Sequence, residues 1–259
     1  MLEKQRHQLI LDILDEERFA SVQSLAAKLN SSEATIRRDL TKLARQEKLR
    51  KIRGGAESMG EGTPRRQQPT LKGSPFLLNK EQNAEAKRRI AAKAVELCED
   101  GESIIINGGS STFMMGEFLA TRQMNILTNS FYLAQTLMET SDNQITLPGG
   151  EIYRRQGIIL SSFEQYSIQY NHATRMFMGT PGIGEYGVME SDPLLIRSEQ
   201  KLRRQAEKLV ILADSSKLGK RSNFIFAALD EVDMLITDDQ AEQRHIDLFR
   251  EAGIEVIVV

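Results

Sequence analysis

Three stretches near the start of the chain carry apolar side chains at helical spacing. Between Arg6 and Glu17 they are Leu9, Ile10, Ile13 and Leu14; behind Ser21 they are Val22, Leu25, Ala26 and Leu29; behind Ser31-Ser32 they are Ile36, Leu40 and Leu43. Recurrence at i, i+4 and i+7 puts the last set on one buried face. Ser31 or Ser32 is placed to cap the exposed N–H groups of that third helix, and Glu33 suits the positive end of its dipole. The pattern then changes period: Leu49-Arg50-Lys51-Ile52-Arg53 alternates apolar and basic residues before Gly54-Gly55, which predicts a hairpin whose turn takes the positive φ that glycine tolerates. Three short helices followed by a hairpin predict a winged helix-turn-helix over residues 1–58.

Polar, glycine- and proline-rich composition from Met59 to Asn83 reads as a linker over 59–82, interrupted only by Phe76-Leu77-Leu78. A helix is expected from Asn83 to Glu99. From Ser103 to Val259 apolar strands alternate with amphipathic helices, which predicts an α/β domain with a mainly parallel sheet over 83–259. Strands are expected at Ser103–Asn107, Met124–Thr128, Gln144–Leu147, Arg175–Met178, Leu209–Ala213, Met234–Thr237 and Glu255–Val259. Helices are expected at Phe113–Thr121, Phe131–Glu139, Pro193–Glu207 and Gln240–Ala252.

Charge sharpens the first domain. The whole chain carries 34 Lys and Arg against 36 Asp and Glu, yet residues 1–60 hold twelve against nine, leaving 22 against 27 for the remainder. Positive charge is thus concentrated on the third helix and the wing, where Ser32, Thr35, Arg37, Arg38, Lys42, Arg45, Lys51 and Arg53 are the candidates to face a nucleic-acid backbone or base edges. Cys98 falls in an apolar helical pattern and reads as core. His7, His172 and His245 stand far apart, so no metal site is expected. No cofactor, leader or spanning segment is expected either, which places the protein in the cytoplasm without a membrane partner.

In the second domain the ends of the expected strands hold small and hydroxyl residues. These are Asn107-Gly108-Gly109-Ser110-Ser111-Thr112, Thr128-Asn129-Ser130, Pro148-Gly149-Gly150, Gly179-Thr180 and Asp214-Ser215-Ser216-Lys217. Ligands of parallel sheets bind at such ends. The first loop leaves an Ile104-Ile105-Ile106 strand and enters a helix, so its backbone can approach an anion while Ser110, Ser111 and Thr112 donate hydrogen bonds. Gly182-Ile183-Gly184-Glu185-Tyr186-Gly187 satisfies G-x-G-x-x-G, but no helix pattern begins there, and it reads as a glycine-rich turn.

The run from Arg6 through Ile10 and Leu14 to Ser32, Thr35 and Ile36-Arg37-Arg38-Asp39-Leu40 resembles the DeoR-type regulators of bacterial sugar metabolism, and the ordered loops of the second domain resemble the effector domain of the same family. That resemblance covers nearly the whole chain. It implies a transcriptional regulator, most often a repressor, with double-stranded operator DNA as partner, an effector domain similar in fold to ribose-5-phosphate isomerase, a phosphorylated sugar or sugar acid as effector, and a homodimer or homotetramer. By the same resemblance Gly109 to Thr112 hold the phosphate, Lys217 reaches in as a cation, Asn129 bonds sugar hydroxyls, and Asn107, Gly149, Gly150 and Thr180 complete the set. Asn107 and Pro181 stand where the family commonly carries acids. The Asn, with its Gly-Ser-Thr run, is similar to a branch whose effector is a sugar-acid phosphate. The alternative is an enzyme, a sugar-phosphate isomerase with an appended DNA-binding domain, for which Glu190, Asp214 and Asp238 are the remaining candidate bases.

Overall fold

The structure is a computed structural model that describes residues 3–17, 19–58, 76–154, 156–160 and 167–259. It divides into two compact units, Met1–Leu78 and Asn79–Val259.

The first unit runs α1 (Glu3–Glu17), β1 (Phe19–Ser21), α2 (Val22–Lys28), α3 (Glu33–Arg45), β2 (Leu49–Ile52) and β3 (Gly55–Ser58). Ser21 and Ser32 cap α2 and α3 through their hydroxyls, accepting from the N–H groups of Ser24 and Thr35. Of the two serines the sequence offered, Ser32 is the cap. Leu9, Ile10, Ile13, Leu14, Leu25, Ile36, Leu40 and Leu43 bury together, so each helix turns its apolar stripe into one small core. The hairpin pairs Leu49 with Ser58 and Ile52 with Gly55, which leaves Arg53-Gly54 as its two-residue turn. Gly54 alone carries the positive φ, at 84°. Gly55 is needed for a different reason than the turn: it pairs with Ser21 of β1, and a side chain there would run into the carbonyl of Ala20. The sequence pattern did not show β1, a three-residue strand.

The second unit opens within α4 (Phe76–Glu81) and continues α5 (Ala84–Glu96), β4 (Ser103–Ile106), α6 (Ser110–Phe113), α7 (Met115–Leu119), β5 (Asn125–Thr128), α8 (Phe131–Thr140), β6 (Gln144–Thr146), β7 (Glu151–Tyr153) and β8 (Ile158–Leu160). After these come β9 (Ala173–Gly179), β10 (Gly182–Gly184), β11 (Gly187–Glu190), α9 (Pro193–Arg203), β12 (Ala206–Leu212), β13 (Phe224–Ala227), β14 (Met234–Thr237), α10 (Gln243–Glu251) and β15 (Glu255–Val258). Residues 59–75 of the expected linker lie outside the described residues, and residues 76–81 form α4 where the sequence reading continued the linker.

Seven parallel strands form one sheet in the order β15-β14-β12-β9-β4-β5-β6. Neighbouring residues of its central strands bury on opposite faces. Met176, Met178, Leu209 and Ile211 enter one core, while Phe177, Val210 and Leu212 enter the other with Ile90, Ala91 and Ala94 of α5. Burial on both sides is what near-continuous apolar runs in a parallel sheet require. From β4 the chain builds outward through β5 and β6; from β9 it builds the other way through β12, β14 and β15. The direction therefore reverses between β4 and β9, the crevice position where ligands of open α/β sheets bind.

Short antiparallel pieces decorate the carboxyl ends: the hairpin of β7 and β8, and a three-stranded sheet β10-β11-β13. The G-x-G-x-x-G run is the hairpin of β10 and β11, with its turn at Glu185-Tyr186, and α9 begins only at Pro193. The expected helix over Phe113–Thr121 is two short helices that start three residues earlier, at Ser110. The expected helix Pro193–Glu207 stops at Arg203, because Ala206 and Glu207 already belong to β12.

Candidate functional site

In the first unit, α3 buries Ile36, Asp39, Leu40 and Leu43, which turns Arg37, Arg38, Lys42 and Arg45 to solvent. Asp39 is the unexpected member. Only 1 % exposed, it takes Arg6 Nε at 2.5 Å on one oxygen, and Arg6 Nη2 at 3.2 Å and His7 Nε2 at 2.9 Å on the other. Burial alone would raise its pKa, but the hydrogen bonds and charges of Arg6 and His7 hold it below the usual carboxylate range. This network pins α1 to α3. No sequence period marks it, since one acid on an apolar face reads as noise until the partner thirty-three residues away is known.

The sequence-read DNA contacts divide by what already holds them. Ser32 Oγ is committed to the Thr35 N–H at 3.2 Å and to the Thr35 hydroxyl at 2.9 Å, so these two build the helix start. Arg37 pairs with Glu33 at 2.8 Å, Lys42 with Glu3 at 2.8 Å, and Lys51 donates to Thr41 Oγ1 at 2.9 Å, which sets the wing strand beside α3. These pairs are solvent-exposed and hold their partners weakly. Arg38, Arg45 and Arg53 are exposed and make no side-chain hydrogen bond or ion pair among the described residues. Helix and wing thus present one cationic edge, with its charge least neutralised at those three arginines.

In the second unit, the switch between β4 and β9 is bridged by Asn107. Its Oδ1 accepts from the Gly179 N–H at 3.1 Å, and its Nδ2 donates to Glu199 Oε1 at 2.9 Å. On the other side of the same loop, Asn129 Oδ1 accepts the Gly108 N–H at 2.6 Å. Ile158 of β8 lies over Gly108, where an added Cβ would sit 2.5 Å from its Cγ1. The loop is therefore held by Asn107 and Asn129, just past β4 and β5, and by Glu199 of α9, together with its own Thr112 hydroxyl. Thr112 is fully buried and donates inward to the carbonyls of Asn107 and Gly109, at 2.8 and 3.1 Å. Ser111 is buried, Ser110 half-buried.

Lys217 sits just after β12 in the turn that Asp214 caps. Burial lowers its pKa and Asp214 opposes that. Sequence reasoning missed two partners of this cluster. Asn83 begins α5 in the left-handed region, φ 53°, and instead of capping the helix it donates to Asp214 Oδ1 at 2.8 Å and Ser216 Oγ at 3.1 Å. Lys87, 2 % exposed, donates to the carbonyls of Asn79 and Gln82, the latter at 2.7 Å. Burial brings its pKa down to about 8, with Asp214 and Lys217 as the charges that act on it. Two cations thus share one buried acid. A lysine inside an apolar helical pattern is the one signal that could have marked Lys87.

Other expected contacts are not gathered there. Gly149 and Gly150 are exposed after β6, an edge strand two places from β4, hence about 10 Å away. The Thr180 hydroxyl is engaged within the antiparallel sheet, with the Gly182 carbonyl at 2.6 Å and the Met189 carbonyl at 2.8 Å. A cavity of about 410 Å³ opens nearby between Asn83, Glu85, Ser215, Asp238, Glu242 and His245. None of the expected effector residues lines it, and its three carboxylates disfavour an anion.

Comparison with known proteins bears on both units. The DeoR-like helix-turn-helix domain matches residues 6–61, and the DeoR C terminal sensor domain matches residues 82–239. The chain belongs to the DeoR family of transcriptional regulators. Among curated relatives, the HTH-type transcriptional regulators UlaR of Shigella dysenteriae serotype 1 and of Escherichia coli O139:H28 are each 35% identical to this regulator over 260 residues, covering 100% of both chains. Among solved structures, ribose 5-phosphate isomerase A of Methanocaldococcus jannaschii aligns over 53% of this chain and 55% of its own, at 19% identity and a TM-score of 0.40. A likeness that distant carries no argument about activity.

The full-length relatives are regulators, so the regulator reading stands over the isomerase alternative. The carboxylates left for an enzyme each already accept hydrogen bonds, although Asp214 Oδ2 has no partner among the described residues. Asp238 takes the N–H groups of Ser215 and Gln240, Asp214 takes Asn83 and Ser216, and Glu190 takes Ser191. Among the described residues no helix is long and apolar enough to cross a membrane, and no group of His, Cys, Asp and Glu could hold a metal ion.

Proposed function

We propose that this regulator is a repressor of a carbohydrate-utilisation operon, released from its operator by a phosphorylated sugar or sugar acid. The observation that carries the DNA half is the cationic edge shared by α3 and the wing. Ser32 and Thr35 set the helix start against the duplex; Arg37, Arg38, Lys42 and Arg45 on the helix and Lys51 and Arg53 on the wing face phosphates and base edges. One such module reads a short half-site, so a homodimer or homotetramer supplies the affinity.

On the effector side, the backbone of Gly109 to Thr112, the hydroxyls of Ser110 and Ser111, and Lys217 take the phosphate. Asn129 meets the carbon chain, and Gly149 and Gly150 close over its far end. Asn107, Thr112 and Thr180 act by position, since their polar atoms already hold the loop and the antiparallel sheet. Lys87 joins Lys217. An arriving phosphate competes for its ammonium with the carbonyls of Asn79 and Gln82, at the end of α4. Binding thereby alters how the start of the second unit is held, and near-complete release from DNA takes about 5 kcal/mol of such differential affinity. The Asn107 run, similar to the branch whose effector is a sugar-acid phosphate, puts L-ascorbate 6-phosphate in the first panel of effectors.

The test is a band-shift titration at fixed salt with DNA from upstream of its own gene and neighbouring genes, repeated with a panel of sugar phosphates. A specific shift that one compound abolishes is the expected result. Retention no better than with competitor DNA, or a shift that every sugar phosphate leaves intact, overturns the reading.

A further inference from the structure

The two edges of the antiparallel sheet β10-β11-β13 are treated differently. Along β10 the chain covers itself: Leu218 bridges to Ile183, and the Gly219 N–H donates to the Ile183 carbonyl at 2.7 Å. β13 pairs with β11 alone, so its outer edge has no backbone partner among the described residues. An open edge is a template for another strand, and proteins that avoid such pairing place charge or proline there. β13 carries neither. From Ser222 to Leu229 the sequence is Ser-Asn-Phe-Ile-Phe-Ala-Ala-Leu. Phe224 is 37 % exposed and Ile225 53 %, so apolar surface accompanies the free backbone groups. Tyr186, in the turn between β10 and β11, adds a third exposed large side chain.

Charge begins on either side of this stretch, and it differs in sign. Lys220 and Arg221 precede it, Asp230 and Glu231 follow it, and all four are exposed. Arg221 pairs with Glu185 and lies over the Tyr186 ring at 4.6 Å, and Glu231 accepts the Ala228 N–H at 2.8 Å. Contacts this exposed hold weakly and leave the charges able to act on a neighbour. A second copy of β13 laid antiparallel to the first runs the opposite way. The basic flank of each copy then meets the acidic flank of the other, twice across one two-fold axis. A parallel arrangement would set like charge against like. The outer strands of the main sheet lack this self-complementarity: β6 is bracketed by the acids Asp142 and Glu151, and β15 carries the exposed acid Glu255 on the strand itself.

Resting on the homo-oligomer reading above, we propose that β13 is the strand through which two copies of this regulator join. Three strands from each copy form one continuous antiparallel sheet, with the two β13 strands side by side at its centre. The occupant of the open edge is a second copy of this chain, held by backbone hydrogen bonds, by Phe224 and Ile225, and by the opposed flanks. Its two-fold symmetry is the one that a pair of operator half-sites requires.

The test is sedimentation velocity on the full-length chain over a range of concentrations, with far-ultraviolet melting to establish that each variant is folded. The unaltered protein is expected to assemble. Ile225→Lys brings two ammonium groups toward the axis and is expected to weaken self-association by about tenfold or more, leaving monomer in place of a dimer or dimer in place of a tetramer. Two further variants make the flanks alike. Lys220→Glu with Arg221→Gln gives two acidic flanks; Asp230→Lys with Glu231→Gln gives two basic ones, and the glutamine oxygen still accepts the Ala228 N–H. Each is expected to self-associate about tenfold more weakly, and an equimolar mixture of the two to recover the assembly of the unaltered protein. Variants that sediment as the unaltered protein does, or a mixture that stays dissociated, overturn the assignment of β13 and leave the oligomer reading in place. An unaltered chain that stays monomeric at every concentration overturns the oligomer reading and the interface with it.

Discussion

The two units present function in opposite ways. The first puts it on the outside: cations on one short helix and one hairpin, of which Arg38, Arg45 and Arg53 have no partner among the described residues. In the second, the site proposed for the effector lies inside, among polar groups contributed by segments as distant as Asn83, Asn107, Asn129, Glu199 and Asp214. A surface that meets a polyanion needs charge in solution and can be built from one contiguous stretch. A pocket that distinguishes small polar molecules needs donors and acceptors held out of water, and only the folded sheet brings those together.

Breaking the support of the first unit has the largest expected effect. Asp39→Ala leaves Arg6 charged and largely buried without its acceptor, and costs about 3 kcal/mol of stability. The sign with pH follows from the lowered pKa of Asp39. Its contribution is full above the ordinary aspartate value and fades as pH falls through its lower folded value. Chemical denaturation of the wild type and Asp39→Ala at neutral and acid pH should therefore show a gap that narrows on acidification. A constant gap would remove the ion pair as its cause.

Next in size is Arg38→Ala, which should weaken operator binding by about 1–3 kcal/mol and leave effector affinity unchanged. Lys217→Ala should do the reverse, retaining the band shift while raising the effector concentration needed to abolish it. Equal damage to both functions in either variant would collapse the contrast between an exposed and a buried site.

How far each region was legible follows from the same difference. The winged helix could be read because its signals are local: Ser21 and Ser32 as caps, a clean apolar stripe on α3, and alternation through Leu49–Arg53. The parallel sheet could be read because Ile104–Ile106 and Leu209–Leu212 are apolar on both faces. The three-residue antiparallel strands β1, β7 and β10 could not, since no apolar run marks them and a period of two is barely sampled over that length. The loop Asn107–Thr112 was legible as a small-residue strand end. That Thr112 and Thr180 spend their hydroxyls on backbone carbonyls, and that Lys87 and Glu199 are buried beside the proposed site, depends on contacts across 2 to 92 residues of sequence that no pattern carries.

Lys87 supplies the smallest and most discriminating effect. Its pKa of about 8 means that a modest rise in pH discharges it, whereas an exposed lysine stays charged. Folding and binding then respond in opposite directions. Between about 8 and the ordinary lysine value the unfolded chain holds more protons than the folded one, so stability rises with pH over that window. Anion binding uses the protonated ammonium, so affinity for the phosphorylated effector falls over the same window. From a pKa of about 8, the protonated fraction drops about threefold between pH 7.5 and 8.5, and the affinity should follow. Lys87→Arg, which keeps its charge, should flatten that decline, and whatever remains belongs to Lys217, whose pKa burial also lowers. Titrations of the effector at the two pH values separate the cases. An undiminished decline in Lys87→Arg would take Lys87 out of the phosphate site and leave it as a clamp on the carbonyls of Asn79 and Gln82.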